Sequence, residues 1–186
     1  MIKKLLIANR GEIAVRVMRT AKEMGISTVA VYSDQDRNSL HVRLADEAYA
    51  LGGNTSAESY LNTDEILKVI EKANIDAVHP GYGFYSENSD FAQKLIDSNV
   101  IWVGPDPSAI ESMGDKISAR EVAKKANVSM VPGTDTPILQ VSEITEFGDK
   151  YGYPIAIKAA YGGGGRGMRV VNAPDEAKEA FESATR

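Results

Sequence analysis

Lys3-Lys4-Leu5-Leu6-Ile7-Ala8-Asn9-Arg10-Gly11 opens the chain with a short continuous apolar run cut off by a polar turn that ends in glycine. An unbroken run of this length is the pattern of a strand buried on both faces of a parallel sheet. From Glu12 to Met24 the apolar residues change to helical spacing, at Ile13, Val17, Ala21 and Met24, and Gly25 follows as a helix-ending glycine. Ser27-Thr28-Val29-Ala30-Val31-Tyr32 is a second strand, with Ser33-Asp34 at its carboxyl end. Strand, helix and strand make a βαβ unit, so the first half is predicted to be a doubly wound, Rossmann-like α/β sheet.

Such a start, with Asp34 after the second strand, raises the question of a nicotinamide or flavin cofactor. The turn Ala8-Asn9-Arg10-Gly11-Glu12-Ile13-Ala14 holds one glycine where close approach to a pyrophosphate wants the G-x-G-x-x-G pattern, which argues against a dinucleotide. Arg16, Arg19 and Glu23 fall on neighbouring turns of the first helix, as a solvated face or a subunit contact.

Outward from this unit, Asn38 to Ala45 is predicted as one or two helical turns, followed by a weak strand at Ala48–Leu51. Asp64 is the expected cap of a helix running to Ala73, and Asp76-Ala77-Val78-His79 a strand stopped by Pro80. The turn Pro80-Gly81-Tyr82-Gly83-Phe84 then lies at a strand's carboxyl end, where open α/β sheets bind ligands. Ser86 is the expected cap of the next helix, with Phe91, Ala92, Leu95 and Ile96 on its buried face, before a strand at Val100–Val103. His79 reads as a strand-end residue rather than a catalyst, and His41 has no evident partner.

Beyond Pro107 the pattern becomes consecutive short helices, with Asp115 as the expected cap of one from Lys116 to Ala126. The turn-rich stretch Val131–Pro137 suggests a boundary. The domain reading is therefore 1–113 for the amino-terminal domain, 114–130 for a connecting helix and 131–186 for a second, partial domain. Within the latter, a helix over about Ser142–Tyr151 precedes Ile155-Ala156-Ile157-Lys158, a loop with five glycines and one arginine over Gly162–Gly167, and Met168-Arg169-Val170-Val171. A last helix runs from Asp175 toward Thr185. Two strand-like runs flanking a glycine loop read as a hairpin closing over a ligand. Glycine lets successive backbone N–H groups turn toward one anion, and Lys158 and Arg166 supply positive charge, so a phosphate is favoured over a mere linker.

Composition excludes several functions. The net charge of −5 leaves no basic footprint for nucleic acid. The absence of cysteine excludes disulfides, thiol nucleophiles and cysteine-based zinc sites and fits a reducing cytoplasm. No export signal and no apolar span of roughly 20 residues is visible, so neither secretion nor membrane insertion is expected. Two histidines without an H-E-x-x-H pattern build no metal site.

Four stretches together resemble the amino-terminal part of biotin carboxylase, the ATP-grasp component of biotin-dependent carboxylases. They are Ile7–Arg16, His79–Asn88, Met113–Lys116 and Gly162–Met168, in the family's order across nearly the whole chain. The resemblance implies a Rossmann-like (pre-ATP-grasp) domain followed by the start of an ATP-grasp lid. It implies a reaction in which ATP phosphorylates bicarbonate to carboxyphosphate and the carboxyl group passes to biotin on a carrier domain. By motif, Lys116, Lys158, Gly163, Gly164, Gly165, Arg166, Gly167 and Met168 would bind ATP. Tyr82 and Gly83 would lie near biotin, and Arg19 and Glu23 in a dimer contact. Tyr161 stands where many members have glycine.

In the family the Mg²⁺ ligands, the general base and the bicarbonate-binding residues lie beyond the position of Arg186. No catalytic or metal-binding residue is therefore assigned within these residues, and the isolated chain is expected to be inactive. The implied partners are the biotin carboxyl carrier domain, a carboxyltransferase subunit and a second copy of the chain. The wording is most like the α subunit of acetyl- or propionyl-CoA carboxylase, with pyruvate carboxylase next. A non-catalytic oligomerisation or nucleotide-binding fragment, or another ATP-grasp ligase such as carbamoyl phosphate synthetase, remain the alternatives.

Overall fold

The computed structural model describes residues 1–114, 116–134, 136–158 and 168–184, and the side chains of all of these except Lys116 and Ile117. The chain divides into two compact units, Met1–Ser118 and Ala119–Arg186.

In the first unit, β1 (Lys4–Ile7), β2 (Ser27–Tyr32), β3 (Glu47–Ala50), β4 (Ala77–His79) and β5 (Ile101–Trp102) form a parallel sheet in the order β3-β2-β1-β4-β5. The doubly wound reading of the sequence is what the structure has. The helices are α1 (Gly11–Glu23), α2 (Leu40–Leu44), α3 (Thr63–Ala73), α4 (Ser89–Asp97) and α5 (Pro107–Gly114). Alternation along β1 sorts its residues between two cores, as the period of two in a strand requires. Leu5 and Ile7 pack with Ala14, Val17, Met18 and Ala21 of α1. Leu6 and Ala8 pack on the opposite face with Ile66 and Ile70 of α3, Phe91 and Leu95 of α4 and Ile110 of α5. Burial on both faces explains why β1 is apolar without interruption.

Two helix starts differ from the sequence expectation. Asn62, not Asp64, caps α3, its side chain accepting the Glu65 N–H at 3.2 Å. Asn88, not Ser86, caps α4, accepting from Phe91 N–H at 2.7 Å. In both cases the capping residue has the extended backbone that lets a side-chain oxygen turn back onto the first turn. Gly25 stands just past α1 with φ of 72°, the left-handed geometry of a helix-terminating glycine.

The second unit holds α6 (Lys116–Lys125, beginning in the first unit), α7 (Val141–Tyr151), β6 (Ile155–Lys158), β7 (Met168–Val171) and α8 (Ala177–Ala184). A single 3-10 turn, Pro174–Glu176, leads into α8, so the last α-helix begins two residues later than Asp175. Strands β6 and β7 pair antiparallel, with Lys158 opposite Met168. Ile157 and Val171 point into a small core with Ile144, Ala177 and Ala180. Helix α7 starts with a capping box in which the Glu143 carboxylate accepts the Gln140 N–H at 3.0 Å.

Candidate functional site

Strands β1 and β4 are neighbours, yet the helices that follow them, α1 and α4, pack on opposite faces of the sheet. The carboxyl ends of these two strands therefore diverge and open a crevice at a topological switch point. Asn9–Glu12 and Pro80–Phe84 are the segments that leave these two carboxyl ends.

Asn9 is buried, and its amide is fully used. Its Nδ2 donates to Pro80 O at 2.7 Å and Tyr82 O at 3.0 Å, while its Oδ1 accepts Arg10 N–H at 2.9 Å. The Gly81 N–H donates to His79 Nδ1 at 2.9 Å, so His79 anchors the end of β4. Gly81 has φ of 68°, and a Cβ there would stand 2.6 Å from Ile13 Cγ2 and 2.8 Å from Asn9 Nδ2. Only glycine fits at that position. Tyr82 is 61% exposed at the tip of the turn, and its O–H donates to the Glu12 carboxylate. That hydrogen bond is the main cause raising the Tyr82 phenol above the ordinary tyrosine range, with burial second. Phe84, with φ of 43°, stacks on Tyr60 at 5.3 Å between ring centres.

Beside this turn lies an ion pair that sequence reasoning missed. Arg10 grips Asp36 with both ends of its fork, Nε to Oδ2 at 2.5 Å and Nη2 to Oδ1 at 2.6 Å. The Tyr60 O–H donates to Asp36 Oδ2 at 2.6 Å and Ser39 Oγ donates to Oδ1 at 3.1 Å. The Arg10 guanidinium holds the Asp36 carboxyl far below the usual range. Burial first, and the bond to Asp36 second, push Tyr60 up to about 12. His41, fully buried, has its Nε2 3.3 Å from Val31 O, and burial lowers its pKa. The Val31 carbonyl is the partner that was not evident in the sequence. The signal in the sequence was the polarity of Asn9 and Arg10 directly after a buried strand, but their partners lie 71 and 26 residues away.

Glu12, Arg16, Arg19 and Glu23 follow one another at helical spacing along α1, and all four are exposed. In the second unit, Lys158 ends β6 on the exposed face, opposite Met168, which is also exposed. The two thus form the strand pair next to the connection between β6 and β7. Tyr161, Gly163, Gly164, Gly165, Arg166 and Gly167, Asp115 and the side chain of Lys116 lie outside the described residues. Among the described residues no group of three His, Cys, Asp or Glu side chains converges as a metal site, and no helix is long and apolar enough to cross a membrane.

Residues 1–110 match the family model described as biotin carboxylase, N-terminal domain. The chain belongs to the biotin carboxylase family. Residues 115–186 match a second model, carbamoyl-phosphate synthase L chain, ATP binding domain. All of the chain aligns at 53% identity with 31% of a biotin-dependent acyl-coenzyme A carboxylase alpha3 subunit from Mycobacterium leprae. Equally, 98% of it aligns at 53% identity with 16% of the mitochondrial pyruvate carboxylase of Homo sapiens.

Among solved structures, a biotin carboxylase from Campylobacter jejuni in complex with β,γ-ATP matches with a TM-score of 0.89 and 43% identity. The match covers 99% of this chain and 41% of that one. The biotin carboxylase domain dimer of Hydrogenobacter thermophilus 2-oxoglutarate carboxylase, complexed with MgADP, ADP and bicarbonate, matches with a TM-score of 0.86 and 43% identity over 99% of this chain and 40% of that one. The chain thus spans less than a third of the two curated relatives it was aligned with.

Proposed function

We propose that these residues are the amino-terminal part of the biotin carboxylase component of a biotin-dependent acyl-CoA carboxylase. The activity is ATP- and bicarbonate-dependent carboxylation of biotin on a carrier domain. The observation that carries this reading is the joining, on one chain, of a biotin carboxylase sheet with its Tyr82 turn at the switch point to a hairpin that presents Lys158 and Met168 at its mouth. Phosphoryl transfer asks a protein for positioning and charge neutralisation. Lys158, with Lys116 and the glycine loop Gly163–Gly167, would supply both toward the phosphates of ATP, and a loop that closes would keep water from a hydrolysable intermediate. Mg²⁺ would add charge neutralisation at the phosphates, and no residue of this chain is assigned to hold it. Tyr82 and Gly83 would face biotin, and Arg19 and Glu23 a second copy of the chain. The further partners are the biotin carboxyl carrier domain and a carboxyltransferase subunit, in the cytoplasm. The domain roles follow the same reading, with 1–113 as the Rossmann-like domain, 114–130 as a connecting helix and 131–186 as a partial ATP-grasp lid.

Pyruvate carboxylase is the second reading, favoured by relatives at the same 53% identity. Carboxylation assays of the full-length polypeptide carrying this chain, with acetyl-CoA, propionyl-CoA and pyruvate offered separately, decide between them. Bicarbonate-dependent ATP hydrolysis stimulated by biotin tests the shared reaction. Lys158→Ala should lower kcat/KM for ATP by about tenfold or more, the loss of one charge-assisted phosphate contact. Residues 1–186 alone should hydrolyse no ATP in response to bicarbonate. An unchanged rate in the variant, or turnover by the isolated chain, counts against the reading.

A further inference from the structure

Tyr82 presents an awkward design. It is a large side chain, mostly exposed, on a turn flanked by two glycines with φ of 68° each, where the backbone alone constrains little. A free tyrosine there would sample several rotamers, and ordering it when a ligand arrives would cost binding energy. The β1–α1 segment removes that freedom at two levels. Asn9 holds the carbonyls of Pro80 and Tyr82 from below, and the Glu12 carboxylate receives the phenol O–H at the tip. Glu12 is itself well placed for this, because the helix that carries it is anchored in the core by Ala14, Val17, Met18 and Ala21. A charge-assisted bond from a phenol to a carboxylate is directional and stronger than a neutral one.

We propose that Glu12 is a positioning residue for biotin: it latches the Tyr82 phenol in place over the β1–β4 crevice, so that the ring meets the ureido end of biotin already oriented. This rests on the reading above that Tyr82 is biotin-proximal. Glu12 touches no substrate and acts through Tyr82. The ring gives a flat apolar wall, and its pinned hydroxyl keeps that wall from swinging across the crevice. The nucleotide would be unaffected.

The test has two parts. In residues 1–186, ultraviolet titration of the tyrosines, with Tyr82→Phe subtracted to isolate the Tyr82 signal, should show Tyr82 ionising above the ordinary tyrosine range. Glu12→Ala should bring it down, and Glu12→Gln, which keeps an acceptor without charge, should fall between. In the full-length polypeptide with free biotin, Glu12→Ala should raise KM for biotin about tenfold while kcat and KM for ATP stay put, the loss of one charge-assisted hydrogen bond used for positioning. Glu12→Gln should recover part of the loss. An unshifted Tyr82 titration in Glu12→Ala overturns the latch. A raised KM for biotin in Tyr82→Phe but not in Glu12→Ala overturns the positioning role. If the titration shifts but neither Glu12→Ala nor Tyr82→Ala, which removes the ring, changes KM for biotin, Tyr82 is not biotin-proximal, and the positioning role falls with that assignment while the latch stands; a KM raised by Tyr82→Ala alone overturns the positioning role and leaves the assignment standing.

Discussion

Asp36 is nearly buried, and its charge is tolerable because both oxygens are met by Arg10, with Tyr60 and Ser39 completing the set. Removing one partner of such a pair leaves an uncompensated carboxylate. Because the Arg10 side chain is itself about half exposed, water can replace part of what it gives. Arg10→Ala should therefore cost about 2 kcal/mol in urea unfolding, below the full penalty for a dry pair. Arg10→Lys should recover less than half, since an ammonium cannot grip bidentately.

The same cluster sets a pH dependence. His41, and His79 at the end of β4, have folded pKa values lowered by burial, so the unfolded chain gains their protons first and stability declines as pH falls below about 6.5. Asp36, lowered by Arg10, contributes stability that is complete above the ordinary carboxylate range near pH 4 and is lost as pH falls further. Urea midpoints measured from pH 7 to pH 3 should fall in these two stages, and Asp36→Asn should flatten the lower one. At this scale Tyr82 and the glycines were legible in the sequence, because glycines around an aromatic mark a turn by themselves. Arg10 with Asp36 was not, since their meeting depends on β1 and β2 lying side by side.

Helix starts show how an element can be read correctly and its boundary misread. The apolar spacing of α3 and α4 was clear, but a capping residue is chosen by backbone conformation, and several polar side chains compete near each start. Asn62 and Asn88 have the extended dihedrals and make the bonds to Glu65 and Phe91 N–H. Asp64 lies within the first turn of α3, and Ser86 precedes the Asn88 cap in a turn where its N–H donates to Gly83 O at 2.9 Å. Asn62→Ala and Asn88→Ala should each cost about 1 kcal/mol in thermal or urea unfolding. Asp64→Ala and Ser86→Ala should stay within about 0.5 kcal/mol of the parent, the range of surface changes away from a cap. Comparable losses in all four would mean that capping is shared rather than assigned to the asparagines. Strand β5 was likewise read two residues too long at its two ends together, Val100–Val103 against Ile101–Trp102. As the last strand of its sheet it pairs with β4 alone.

The two units differ in how much holds them. The first has a five-stranded sheet with a core on each face, the second a two-stranded sheet over one small cluster. A two-stranded sheet is marginal without further packing, and its exposed edges invite pairing with other chain. Amide hydrogen exchange should therefore be faster in Ile155–Lys158 and Met168–Val171 than in Lys4–Ile7 and Ser27–Tyr32. Equal protection in the isolated chain would overturn this. If the hairpin closes over nucleotide as proposed above, adding nucleotide to the full-length polypeptide should slow exchange in it, because a ligand stabilises the form it binds by mass action.

By itself the sequence determined the elements, because hydrophobic period and glycine placement are local and survive without a structure: the βαβ start, the buried first strand, the glycine-bounded turn at Tyr82 and the hairpin carrying Lys158. It also carried the family, since four motifs in one order are information a chain holds in one dimension. The tertiary structure alone decided which residues meet at the switch point. Asn9 beneath Pro80 and Tyr82, Glu12 on the phenol and Arg10 on Asp36 join segments far apart in the chain. The physical reason is the strand order: placing β1 between β2 and β4 brings those three loops to one end of the sheet, and no local pattern specifies which strands become neighbours.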